Sequence, residues 1–255
     1  MEVLMKKILL ILILTLFTAT IGLCSEFEEA LFKAKQGDAH SQCLIGVMYS
    51  QGKDVTQDLK KATEWYSKAA RNGHAHAQAF LGISYFFGQG VPQDYKQAFH
   101  WCFKAANQGI DWAQYRIGYM YYLGIGRPQD YKEAFKWHTK AAEQGFDESQ
   151  ATLAMMYVRG EGVSIDKEKA FKWCYSSAIQ GNSGAQSFLA YFYFNGDGGA
   201  EQSYVKAYAW WNIAASQGDE NAKEKRDSML KKMTPVQIDE AQELSRQLYN
   251  KIYNS

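Results

Sequence analysis

The chain has 255 residues, 22% of them charged and 47% hydrophobic, with only 3 prolines. That is ample apolar content for a packed core and excludes a disordered chain. A formal net charge of +1 gives no electrostatic reason to expect nucleic acid, because phosphate binding needs concentrated Lys and Arg.

The chain opens with "MEVLMKKILLILILTLFTATIGLCSEFEE". Lys6 and Lys7 precede an apolar run from Ile8 to about Leu23, softened by Thr15, Thr18 and Thr20. The run is shorter than the ~20 residues of a membrane helix, so residues 1–24 read as a secretory signal peptide and the protein as exported, periplasmic or secreted. Cys24 offers a lipid-anchored alternative, which Leu23 disfavours because a lipid-attachment motif wants a small residue there. An uncleaved signal anchor is the remaining alternative. Removing 1–24 leaves 26 basic and 26 acidic side chains. The remaining cysteines, Cys43, Cys102 and Cys174, are odd in number and widely spaced. They read as small buried hydrophobes and not as a disulfide framework.

Next comes "SEFEEALFKAKQ", residues 25–36, predicted to be an N-terminal capping helix, with Ser25 and Glu28 spaced as a capping box. Glycines at 37, 73, 109, 145, 181 and 218 then mark four units of 36 residues and one of 37: 37–72, 73–108, 109–144, 145–180 and 181–217. A motif that recurs in this way is first of all architecture. Ten positions into each unit stands Gly46, Gly82, Gly118, Ala154 or Ala190, and three later Tyr49, Tyr85, Tyr121, Tyr157 or Tyr193. Near each end comes Trp65, Trp101, Trp137, Trp173 or Trp210, followed by small residues such as Ala105 and Ala106.

Each unit reads as two short helices. In the third, Gln114, Ile117 and Tyr121 fall on one stripe, with Gly118 beside it admitting a neighbouring backbone. Pairs such as Gly88 and Gly90 end the first helix with left-handed residues, and Asp94 or Asp130 caps the start of the second. That second helix is expected to carry the Trp and the Ala pair inward. These glycines therefore turn the chain and do not cradle phosphate. Such a unit cannot bury its apolar face alone, so the expected fold is an all-α, right-handed α-solenoid of helical hairpin repeats. After Gly218 the repeat gives way to C-terminal capping helices over 218–255, where Thr234, Pro235 and Gln237 signal a helix start.

The stretch "AQYRIGYMYYLGIGRPQDYKEAFKWHTKAAEQG" resembles a Sel-1-like repeat, a relative of the tetratricopeptide repeat, and the resemblance covers roughly residues 30–220 in five in-phase copies. The segment from Tyr208 to Gln242 also resembles the C-terminal cap of bacterial members. Two departures stand out: Lys53 and Asp54 replace the second junction glycine of the first unit, and "GDGGAEQS" in the fifth has one extra residue. The resemblance implies a non-catalytic adaptor or scaffold that binds other proteins, with exported bacterial members linked to host interaction or envelope processes. An enzymatic alternative comes from cysteine-rich secreted relatives described as β-lactamase-like or penicillin-binding. Those carry a Cys pair in each repeat, which this chain lacks.

The residues themselves give little chemistry. His74 and His76 are two apart on different helix faces, with no Cys pair to complete a metal site, and His40, His100 and His138 are isolated in sequence. Ser164 to Lys167 and Ser228 to Lys231 have Ser-x-x-Lys spacing, but Ser-Asp-Asn and Lys-Thr-Gly elements are absent. No catalytic residue, metal or cofactor is predicted.

A functional signal remains once the repeat is subtracted. Positions four, seven, eleven and fourteen of each unit share the first-helix face opposite the Tyr stripe, expected to line the concave side. They are His40, Cys43, Val47 and Ser50, then His76, Ala79, Ile83 and Phe86; the fourth unit has Glu148, Ala151, Met155 and Val158, the fifth Gly184, Ser187, Tyr191 and Phe194. The third has Trp112, Tyr115, Tyr119 and Tyr122, with Arg116 alongside. Tyr, Trp and Arg are the residues most enriched in binding hot spots. The expected site is thus a groove around Trp112, Tyr115, Arg116, Tyr119 and Tyr122, with Phe86, Tyr191 and Phe194 at its margins, taking a protein or peptide ligand of a monomeric chain. The competing reading is that these rings pack between helices.

Overall fold

A computed structural model describes residues 26–254, and these are helical with no strand. The proposed signal peptide, Cys24 and Ser25 of the expected capping box lie outside the described residues. Thirteen helices run through the described chain: α1 (Glu26–Lys35), α2 (Ala39–Gln51), α3 (Leu59–Arg71), α4 (Ala75–Phe87), α5 (Tyr95–Asn107), α6 (Asp111–Leu123), α7 (Tyr131–Glu143), α8 (Asp147–Arg159), α9 (Lys167–Ala178), α10 (Ser183–Asn195), α11 (Tyr204–Ser216), α12 (Glu220–Met229) and α13 (Pro235–Tyr253). They fall into two compact units, one ending at Gln108 and the other beginning at Gly109. In the first, each helix from α1 to α5 packs on the next; in the second, α6 to α11 do the same and α11 also receives α12 and α13.

Helix starts follow elementary capping chemistry. Asp58, Asp94, Asp130, Asp166 and Ser203 stand in extended backbone before α3, α5, α7, α9 and α11, and each side chain accepts an amide of the first turn. Thr234 and Gln237 form the full reciprocal box at α13. Sequence reading missed the caps of the first helices, Asp38, His74 and Asn182 among them: His74 Nδ1 accepts the Ala77 amide at 3.3 Å, so this histidine begins α4.

The junction glycines have a second reason beyond the turn. Gly90 and Gly162 have φ of 72° and 73°, and a Cβ added to either would overlap the carbonyl of Leu59 or Tyr131, at the start of the preceding hairpin's second helix. Only glycine combines that backbone with that approach. In the first hairpin Asp54 adopts the same left-handed conformation, φ 61°, the only non-glycine to do so among the described residues. The extra residue near Gly198 leaves that glycine left-handed as well, at φ 65°.

Within the first three hairpins the tenth-position glycine meets the residue that follows the repeat Trp. A Cβ on Gly46, Gly82 or Gly118 would collide with Tyr66, Cys102 or His138 respectively. This revises the expectation that the Trp points inward everywhere. Trp137 and Trp210 are buried, but Trp65, Trp101 and Trp173 are half-buried, and the next residue fills the core: Tyr66, Cys102, His138, Cys174 and Trp211. Trp211, which the repeat left unexplained, is a core residue for that reason. Outside, Lys68, Lys104 and Lys140 lie 3.9, 4.8 and 4.1 Å from the rings of Trp65, Trp101 and Trp137, using the Trp faces as cation–π partners.

A buried glutamine ladder ties successive helices together. Gln78 donates to Ala70 O and accepts from Gln108; Gln150 donates to Ala142 O and accepts from Gln180; Gln186 donates to Ala178 O and accepts from Gln217. Each buried amide thus has its partners satisfied, which a core position demands. The last rung is closed by α13: Gln186 also donates to Tyr253 Oη, which donates to Gly181 O. Cys43, Cys102 and Cys174 are buried, and burial raises the thiol of Cys43 to about 11 and that of Cys174 further still. All three pack in the core, and the raised thiols of Cys43 and Cys174 disfavour the reactive thiolate.

Candidate functional site

The register places the expected face residues unequally. In the first unit Cys43, Ala79 and Phe86 are buried, while His40 and His76 are exposed and Val47 and Ile83 half-buried. Phe86 is only 8% exposed and packs against Phe87 and Tyr95 at 5.0 and 5.3 Å, so it belongs to the core and not to an open surface. The cause is a clamp that sequence reading missed. The fourteenth-position ring meets the first residue of the following helix: Phe86 on Tyr95, Tyr122 on Tyr131 at 5.2 Å, and Phe194 on Tyr204 at 5.7 Å. A Gln in each junction donates to the carbonyl of the same ring residue, from Gln93 to Phe86, Gln129 to Tyr122 and Gln202 to Phe194. The aromatic recurring nine or ten residues after another was the available signal.

In the second unit the seventh and eleventh positions keep exposure. Tyr115 and Tyr119 are half-buried on α6, ring centroids 6.2 Å apart, and the Arg116 guanidinium carbon lies 5.8 and 5.7 Å from the two centroids. Tyr115 rests on Phe146 at 5.1 Å and edge-on to His138 at 5.6 Å. Burial chiefly raises its phenol above the usual range. Trp112 is also half-buried. Tyr122 Oη donates to Glu161 at 2.7 Å and accepts from Arg159 at 3.3 Å, tying α6 to the end of α8. Burial, then Glu161, raises its phenol too.

Further along, Met155 and Val158 of α8 and Ser187, Phe188 and Tyr191 of α10 line an open cavity of about 370 Å³, with Arg159 and Asp219 at its polar edge. Tyr191 and Phe194 both lean on buried Trp211, at 5.2 and 5.7 Å. Tyr115, Tyr122, Tyr191 and Phe194 therefore each have one side in the scaffold. Phe86 alone among the candidate rings is enclosed; Trp112, Tyr115, Tyr119, Tyr122, Tyr191 and Phe194 are all half-buried, and Tyr122 and Phe194 are further held by the clamp.

The serines with Ser-x-x-Lys spacing are otherwise engaged or unsupported: Lys167 pairs with Asp197 at 2.9 Å, and Ser228 Oγ donates to Lys225 O. Among the described residues no group of three His, Cys, Asp or Glu could hold a metal ion, and no helix is long and apolar enough to cross a membrane.

The Sel1 repeat family matches the chain five times, over 39–74, 75–110, 113–146, 147–182 and 183–219. The chain belongs to the Sel1 repeat family. Sel1 repeat proteins are helical-hairpin α-solenoids, in general protein-interaction scaffolds and typically non-catalytic. Among solved structures the chain is similar to a Sel1 repeat protein from Oxalobacter formigenes, at 34% identity and TM-score 0.70, over 75% of this chain and 76% of that one. It is similar at 27% identity and TM-score 0.50 to a protective antigen present in uropathogenic Escherichia coli strains, covering 89% of this chain and 64% of the antigen's length. A Sel1 repeat protein from Klebsiella pneumoniae, at 22% identity and TM-score 0.50 over 80% of this chain and 98% of that one, shares the fold. No curated protein matches the chain.

Proposed function

We propose that this Sel1 repeat protein is an exported, non-catalytic scaffold of the periplasm, envelope or secreted space, binding a peptide or protein segment on the first-helix face of its second unit. Trp112, Tyr115, Arg116 and Tyr119 form the centre, with Tyr191 and the α8–α10 cavity beyond and Tyr122 and Phe194 as supports. The observation that carries the reading is the Tyr115–Tyr119 pair. Two adjoining half-open rings, Tyr115 seated on Phe146 and the Arg116 guanidinium beside both, give contact area at little further entropy cost. Export rests on the apolar segment after Lys6 and Lys7. Intact-mass measurement of the cell-derived protein tests export, a chain still carrying residues 1–24 counting against it.

A photoreactive side chain at position 119 tests the face in intact cells, with one at exposed Lys132 as control. Capture of one protein at 119 and not at 132 supports the assignment. Equal capture at both positions removes its basis.

A further inference from the structure

His138 is the one buried histidine of the described chain, 1% exposed on α7, at the register position that holds Tyr66, Cys102, Cys174 and Trp211 in the other hairpins. Its Nδ1 lies 3.2 Å from Ser149 Oγ of α8. Its Nε2 has no hydrogen-bond partner and abuts Gly118 of α6, where an added Cβ would come within 2.8 Å of the ring. The ring edge also supports Tyr115. One imidazole thus touches both helices flanking its own and underlies the proposed binding face. Facing it from α6 are Gly118 and the neutral phenol of Tyr115, and from α8 the hydroxyl of Ser149; no carboxylate or cation acts on it, burial being the only influence on its titration.

The neutral ring suits this site. With the proton on Nδ1 it donates to Ser149 Oγ and leaves Nε2 as a bare acceptor against Gly118. A second proton puts an unpartnered N–H and a positive charge into an apolar pocket, where water cannot follow while Gly118 stays close.

We propose that His138 makes the α6–α7–α8 joint acid-sensitive: protonation of the buried imidazole parts α7 from Gly118 and Ser149 and withdraws the support beneath Tyr115. That this loosening also weakens partner binding rests on the reading of the face given above; the loosening itself does not.

Burial lowers the imidazole to about 4 from its usual 6.5. The folded-state value is depressed, so the unfolded chain takes up the proton first as pH falls. Stability from this residue is complete above about pH 7 and is lost progressively between about 6.5 and 4, a drop of roughly a hundredfold in the folding equilibrium.

The test uses the full mature chain and needs no partner. Urea unfolding at pH 7 and pH 4 compares wild type with His138→Cys, the residue native to this position in two other hairpins. Wild type is expected to lose roughly a hundredfold more of its folding equilibrium than the variant, and fluorotyrosine at position 115 to change its NMR signal before global unfolding. Equal losses in the two proteins, or a Tyr115 signal that is silent until global unfolding, overturn the proposal. Should His138→Cys fold poorly, imidazole NMR on wild type decides: a His138 resonance titrating near 6.5 in the folded protein overturns it, and one still neutral at pH 5 supports it.

Discussion

The first helices of the two units are cut to one pattern and used differently. In both, a glutamine rung and a close glycine hold the helix to its neighbours: Gln78 and Gly82 in the first unit, Gln114 and Gly118 in the second. On the opposite face the seventh and fourteenth positions hold buried Ala79 and Phe86 on α4 but half-exposed Tyr115 and Tyr122 on α6, while the eleventh is half-exposed in both, as Ile83 and Tyr119. A repeat position fixes where a side chain points. Its identity decides whether anything is left for a partner.

Substitutions on the face should therefore act unequally in the two units, and those on the scaffold equally. Phe86→Ala removes a buried ring and is expected to cost about 3–5 kcal/mol of stability, measured by denaturant unfolding, with partner affinity unchanged for whatever stays folded. Gly90→Ala and Gly162→Ala should each cost about 2–4 kcal/mol, because a left-handed alanine would also strike a carbonyl. Gly145→Ala, left-handed with φ 98° but in open space, should cost only about 1 kcal/mol. If all three cost the same, the close approach between hairpins is not what requires glycine. Gln78→Leu and Gln150→Leu should lose about 1–3 kcal/mol apiece by stranding buried carbonyl and amide partners; a large inequality between them would break the equivalence of the two scaffolds.

The smallest effect is at His74. Burial first, then the nearby His40 and His76, lowers its imidazole, against Asp38 which raises it. A depressed folded-state value means that its contribution is present above the unfolded-state range near 6.5 and is lost as pH falls through the folded value. The loss should be below about 1 kcal/mol, the worth of one cap. Asn182 holds the same place before α10, so His74→Asn should flatten this part of the pH profile of the first unit without lowering stability at pH 8.

The scaffold was largely legible in the sequence because its chemistry is local and repeats. Left-handed glycines, aspartate caps and the Gln114, Ile117 and Tyr121 stripe each recur at fixed spacing and need only helix geometry to interpret. The face was legible only in outline. Periodicity aligned Phe86 with Tyr122 but could not show that a ring at the fourteenth position is clamped by the next helix, nor how far each clamp encloses it. Nor could it show that the residue after the Trp fills the hairpin, which hid both Trp211 and His138. Those depend on distances between helices, which a single sequence does not specify.

The most direct test of the central claim is the affinity of the partner captured at position 119 for Tyr115→Ala/Tyr119→Ala, measured beside the double variant Trp65→Ala/Trp101→Ala on the second-helix side. The account predicts at least a tenfold loss for the first pair, with the variant still folded, and an affinity within about twofold of wild type for the second. An unchanged affinity for the Tyr115/Tyr119 variant, or an equal loss in both, would contradict it.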